Sequence, residues 1–340
     1  MGEGDALKDV REINGVYVLA HASAVGREEW RGPFGESFDF HDESNRFGAE
    51  TWEKAEGEMQ SIALSLALKK EGDEEMPDFL FSGDLQNQCV ASAHGLIGYG
   101  IPYFGLYGAC STLTEGLSLA SLLLGGRMAE RVGVLTSSHT AAAERQFRLP
   151  LEYGGQRPPT AQWTATAAGA FILGTKKKTP VGICAAMAGR MVDSGIRDAS
   201  HMGAAMAPAA ADSILRFLSS SGTTPEDYDH IVTGDLGIYG SELLLMLLSG
   251  AGIEVKNHLD CGALLYDCGA QDAHAGASGC GCSAAMLSAH FLPKLWRGEM
   301  KKLLFLSTGA IMSPSSVAQG ENIFGIAPAV VLENKERHGA

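Results

Sequence analysis

The sequence predicts an α/β fold built twice over, on three observations. Apolar, β-rich runs alternate with helical stretches; a Gly-Asp-Leu tripeptide follows a short apolar run twice; and a small-residue turn holding a cysteine opens a helix in each half. The repeat is explicit where Ile231 to Leu236, IVTGDL, echoes Leu80 to Leu85, LFSGDL. Aligned on Asp84 and Asp235 the offset is 151, whereas Cys110 with Cys282 and Gly126 with Gly298 both give 172, so a 21-residue insertion is expected around Ala251 to Asp272. The halves divide as residues 1–175 and 176–340, with a pseudo-twofold core and a cleft between them.

In chain order, Val16 to Val25 reads as the first strand and the aperiodic Gly26 to Gly48 as a long loop. Glu50 to Lys70 spaces Trp52, Ala55, Met59, Ile62 and Leu66 along one helix face. Phe79 to Ser82 is a short strand leading into Asp84 and Asn87, and a helical stretch from Val90 leads to a strand at Ile101 to Leu106. A helix then carries Leu113, Leu117, Ala120 and Leu124 and ends at Gly125 and Gly126. Val132 to Leu135 is the next strand, delivering Ser137, Ser138 and His139. Thr164 to Leu173 and Val181 to Ala188 read as buried strands, Met202 to Leu218 as an Ala-rich helix, and Leu303 to Ser307 as a late strand.

Composition bounds the function. The formal charge of −14 over 340 residues argues against nucleic acid and against direct adhesion to anionic lipid. With no apolar run of about 18 residues and no signal-like start, a cytoplasmic protein is expected. Seven cysteines, an odd number without metal-site spacing, read as reduced thiols, and no metal or cofactor is expected.

The chemistry centres on Cys110, in a turn between a strand and a helix. There a thiol feels the positive end of the helix dipole, which favours either thiolate or a bound anion. A strand, crossover helix and parallel strand place both strand ends on one sheet edge, so Cys110 and His139 are expected to face one cleft. Asp84 with Asn87, Ser138, and Asp235 from the second half sit at similar strand ends. Arg145, Gln146 and Arg148 bring local positive charge and donors, and an arginine fork matches a carboxylate.

Several motifs, SGDLQNQ from Ser82, GACST from Gly108, TSSHTAAAERQFRLPLEYGGQ from Thr136, MGAAMAPAAAD from Met202, GASGCGCSA from Gly276 and STGAIMSP from Ser307, resemble the stage V sporulation protein AD family of spore-forming bacteria. The resemblance runs from about Val16 to Glu333 and implies a thiolase-like duplicated fold, with helices layered between and outside mixed sheets. It further implies binding of dipicolinic acid (pyridine-2,6-dicarboxylate), free or with calcium, and support of its uptake into the developing spore. Such a chain would serve as a peripheral subunit of the SpoVA complex on the forespore or spore inner membrane, held there by its membrane subunits. A homodimer is compatible with this reading. The alternative is a Cys-dependent acyl-CoA condensing enzyme of the thiolase or ketoacyl-synthase type. That reading needs a base from the second half, and the GHP and NEAF stretches of those enzymes are absent from this sequence, so a non-enzyme is expected. The anticipated ligand contacts are Cys110, His139, Asp84, Asn87, Ser138, Arg145, Arg148, Gln146 and Asp235, with His139 and an arginine as the charged donors.

Overall fold

A computed structural model describes residues 9–72, 75–147 and 156–336. The first half supplies strands β1 (Arg11–Gly26), β2 (Phe79–Gly83), β3 (Tyr103–Gly105), β4 (Arg131–Ser138) and β5 (Ala167–Gly174). The second supplies β6 (Val181–Met187), β7 (His230–Thr233), β8 (His258–Asp260), β9 (Lys302–Leu306) and β10 (Ala329–Asn334). Their order across the sheet is β8-β7-β9-β10-β6-β1-β5-β4-β2-β3. Read inward from either edge, the two sets of five are connected identically. In each, the fourth strand in chain order after the first, β5 or β10, runs against both its neighbours. The sets join where β1 pairs antiparallel with β6, Val16 opposite Ile183.

The longer helices are α1 (Trp52–Glu71), α2 (Val90–Leu96), α3 (Thr112–Gly125), α4 (Thr140–Phe147), α5 (Met202–Ser221), α6 (Gly237–Gly250) and α7 (Cys280–Met286). Chemistry at the ends of α1 sets its limits. The Thr51 side chain accepts from Lys54 N at its start, and Gly72 closes it at φ 79°, a left-handed conformation that suits glycine.

Burial along the strands shows how the layers stack. On β5, Ala167, Phe171 and Leu173 face a core built from Leu113 and Leu117 of α3 and Ala284 and Met286 of α7. The intervening Ala168, Ala170 and Ile172 face Met59, Ala63 and Leu64 of α1. The second half repeats this: Leu303 and Phe305 of β9 turn toward the α3–α7 core, while Leu304 and Leu306 turn toward Ile214 and Phe217 of α5. Strands buried on both faces read as continuous apolar runs for this reason. Helices α3 and α7 therefore lie between the two sheet halves, with α1 and α5 outside, as the thiolase-like reading requires.

Three expectations change. The extra residues of the second half are not one insertion. Part lengthens α6 relative to α2, and part forms the excursion from Cys261 to Gly276, which brings Tyr266 to Glu29. Ile101 to Leu106 yields only a three-residue edge strand, exposed at every position, because β3 has a neighbour on one side alone. The loop Gly26 to Gly48 includes a short strand, Phe40–Asp42, that pairs parallel with the end of β1.

The central helix α7 approaches the strand ends closely enough to require glycine. A Cβ on Gly281 would overlap the Ala167 carbonyl oxygen and stand 2.7 Å from Ser138 N, both fixed backbone atoms, whereas Gly125 in the last turn of α3 has open space. Gly281→Ala is expected to cost about 2–4 kcal/mol in denaturant unfolding, and Gly125→Ala to be neutral or stabilising by up to about 1 kcal/mol. Equal effects would contradict this packing.

Candidate functional site

A cavity of about 150 Å³ opens between the two halves. Its floor is buried and consists of Cys110, Ala143, Thr164, Ser278 and Ala310, while Tyr107, Phe147, Met202 and Met312 form a more open rim. Local pairing brings the floor together. Trp163–Thr164 pairs in parallel with Ala277–Ser278, setting one residue from each half side by side, and the hairpin of Gly309–Ile311 with Phe324–Ile326 supplies Ala310.

Cys110 stands in a 3₁₀ turn, Ala109–Ser111, that enters α3, with Ala109 held at φ 52°. Its thiol faces the second half, with Sγ 3.8 Å from Ser278 Oγ. Behind Ser278 lies Asp235, fully buried, which accepts from Gly279 N at 2.8 Å, Ser278 Oγ at 3.1 Å and Thr308 Oγ1 at 2.8 Å. Of the two readings of this turn, thiolate or anion seat, the thiolate is disfavoured: burial, then the charge and hydrogen bond of Asp235, push the Cys110 thiol well above its ordinary value. Loss of water around the thiol is the larger cause and the Asp235 carboxylate the next, and both act against the helix dipole. Cys282, the repeat-related partner of Cys110, faces the Gly234 carbonyl at 3.7 Å, and Cys280 packs beside Cys110 instead.

The other anticipated contacts divide into a group behind the rim and a structural group. Asn87 and Gln146 do not line the cavity but meet behind the rim residue Tyr107, where Gln146 Oε1 accepts from Asn87 N at 3.0 Å and Tyr107 donates to Asn87 Oδ1 at 3.1 Å. His139 does not join Cys110. Its Nε2–H donates to Asn45 O at 2.8 Å and its Nδ1 accepts from Ala141 N at 3.2 Å, beside the Trp52 ring. Burial lowers its pKa, so it is a neutral histidine tying the long loop down and not a charged donor. Asp84, expected to converge with Asn87, turns inward to accept from Gln86 N and from the backbone and hydroxyl of Ser92. Ser138 donates to Ala165 O at 2.7 Å. Arg145 is exposed and pairs with Glu53 at 3.2 Å. Arg148 lies outside the described residues.

Comparison with known proteins places this geometry. The sequence profile of the stage V sporulation protein AD (SpoVAD) family matches residues 8–333. The chain belongs to this family. Stage V sporulation protein AD of Bacillus subtilis (strain 168) is 40% identical to it over 322 residues, 94% of each chain. Among solved structures, 3-oxoacyl-[acyl-carrier-protein] synthase III from Aquifex aeolicus VF5 superposes with TM-score 0.55 at 14% identity, covering 94% of this chain and 100% of that one. Cerulenin-bound OleA of Xanthomonas campestris gives 0.59 at 13%, covering 94% and 98%. These structural likenesses show the fold alone.

No histidine lines the cavity of this SpoVAD-family chain among the described residues, and no group of three or more His, Cys, Asp or Glu side chains there is arranged to hold a metal ion. Ser278, Thr308, Thr164 and Tyr107 were missed by sequence reading, since single hydroxyl residues in loops and two-residue strands carry no pattern that separates a floor from a turn. Also missed was a buried polar network behind the first-half strand ends. Glu56 of α1 accepts from Ser137 Oγ and Gln86 Nε2, both at 2.7 Å, close to Asp84.

Burial, reinforced by the Asp84 charge, raises the Glu56 pKa to about 8. An unfolded glutamate releases its proton near 4.5, so between these values the folded chain binds more protons than the unfolded one. Stability contributed by this site therefore falls as pH rises from about 4.5 to about 8. Glu56→Gln is expected to gain stability relative to the parent as pH increases through that window, with little difference at about pH 4.5. Thermal unfolding of both proteins across the range tests it, and a pH-independent difference would contradict a buried protonated Glu56.

Proposed function

We propose that this SpoVAD-family chain binds dipicolinic acid, free or chelated to calcium, in the cavity at Cys110, and so supports the uptake of that ligand into the developing spore. The observation that carries the reading is the state of the Cys110 thiol. It sits on the floor of a small cavity against a buried carboxylate that holds it protonated, with no cavity-lining histidine among the described residues to take its proton. A condensing enzyme needs the opposite, a base that generates thiolate. The walls, Leu85, Ala143, Phe147, Ala310 and Met312 among them, suit a flat aromatic ring, and a volume of about 150 Å³ is that of one small molecule.

On this reading the chain works as a peripheral subunit on the forespore or spore inner membrane, docked through SpoVA membrane subunits. Among the described residues no helix is long and apolar enough to cross a membrane, and the net charge of −14 disfavours direct contact with anionic lipid.

Calorimetric titration of the purified chain with dipicolinate, with and without calcium, tests the proposal. Saturable one-site binding is expected. Cys110→Phe should weaken it by at least ~100-fold by filling the cavity, while His139→Ala should lower the thermal midpoint and leave the affinity within about threefold. Absence of binding to the parent, or undiminished binding by a folded Cys110→Phe, would overturn it. Incubation with acyl-CoA should add no acyl mass to Cys110, and a stable acyl-enzyme would favour the condensing reading.

A further inference from the structure

The polar side chains that line the cavity differ in whether their hydrogens are already committed. Tyr107 donates to Asn87 Oδ1 at 3.1 Å, Ser278 donates to Asp235 at 3.1 Å, and the Cys110 thiol is bonded to the same carboxylate. The Glu144 carboxylate, which also lines the cavity, has an interaction of its own. Thr164 is the exception. It is only 6% exposed, yet its hydroxyl has no hydrogen-bond partner among the described residues.

Local structure holds that hydroxyl in one place. The residues on either side of Thr164 are tied to the second half through their backbones, Trp163 N donating to Gly276 O at 2.8 Å and Ala165 N to Ser278 O at 2.9 Å. The Thr164 methyl packs toward Gly279, where an added Cβ would stand 3.5 Å from it. A β-branched side chain has few χ1 choices, so a methyl placed there also fixes the oxygen. That oxygen is not sealed in by protein, and the opening it has is the cavity that the residue lines. A hydroxyl this deeply buried is costly to leave unbonded, and an occupant of the cavity is what can bond it.

We infer that Thr164 is the residue by which the cavity recognises a carboxylate of its ligand, with Oγ1–H donating to one carboxylate oxygen. This rests on the reading of dipicolinate as ligand and assigns the residue that selects it. Every other side-chain hydrogen in the lining would have to leave an acceptor it already has, and for Cys110 and Ser278 that acceptor is the buried Asp235. In a calcium chelate the ring nitrogen and one oxygen of each carboxylate face the metal, while the outer carboxylate oxygens stay open. The same hydrogen bond therefore serves the free and the chelated ligand.

Two substitutions separate the hydroxyl from the shape of the residue. Thr164→Val keeps the branched shape and removes the hydroxyl, whereas Thr164→Ser keeps the hydroxyl and removes the methyl. Calorimetric titration with dipicolinate is expected to show binding weakened by at least ~10-fold in Thr164→Val, the loss of one charge-assisted hydrogen bond, and by no more than about fivefold in Thr164→Ser. Thermal unfolding of ligand-free Thr164→Val should give a midpoint at or above that of the parent, because an unbonded buried hydroxyl gives way to a methyl group. A residue that only held the fold together would instead lose midpoint and affinity together. A smaller loss of binding in Thr164→Val, an equal loss in Thr164→Ser, or a Thr164→Val midpoint below the parent's would overturn the assignment while leaving dipicolinate as the ligand. No binding of dipicolinate to the parent would overturn both.

Discussion

The carboxylate of Asp235 is the interaction on which the centre of this molecule depends. It leaves the end of β7 and gathers the turn before α7 through Gly279 and Ser278, the segment after β9 through Thr308, and the Cys110 turn of the opposite half through the thiol. A bare charge at this depth would be untenable, and four donors are what its lone pairs can take. Each hydrogen bond to a charged acceptor contributes on the order of 1.5–3 kcal/mol, and losing the acceptor would leave several buried donors unpaired at once. The same arrangement fixes the chemistry: a thiol that shares a dry pocket with a carboxylate keeps its proton.

The duplication explains why this tie is asymmetric. Asp84 and Asp235 stand at repeat-related strand ends, yet Asp84 caps its own turn through Gln86 and Ser92. In the second half that capping falls to Asp260, at the end of β8, which accepts from Leu236 N, Gly237 N and Ala263 N. Relieved of the local turn, Asp235 is free to point across the interface. One half thus contributes the thiol and the other the carboxylate that restrains it, and the cavity lies where they meet.

Much of the architecture was legible because it is written in periodicity: buried strands as apolar runs, α1 as a single amphipathic stripe, and the repeat as two Gly-Asp-Leu turns. Cys110 was legible for the same reason, since a break from strand pattern to helix pattern locates the turn. Side-chain direction was not. Ser138 and His139 follow β4 as expected, but the sequence does not say that Asn45, 94 positions earlier, returns to occupy the imidazole. Nor does it reveal that a glutamate of the amphipathic α1, Glu56, sits wholly buried among Ser137 and Gln86 instead of on the charged face. Contacts across long sequence separations decide these outcomes, and neither composition nor spacing encodes them.

The account turns on Cys110 being a protonated, unactivated thiol at the floor of a ligand cavity. Its rate of alkylation by iodoacetamide, resolved peptide by peptide by mass spectrometry between about pH 6 and pH 10, measures this directly. The rate should be low near neutrality and still rising at about pH 9 and above. A fast reaction that has already reached its plateau near about pH 7 would mean a thiolate, and would contradict both the role given to Asp235 and the non-catalytic reading of the site.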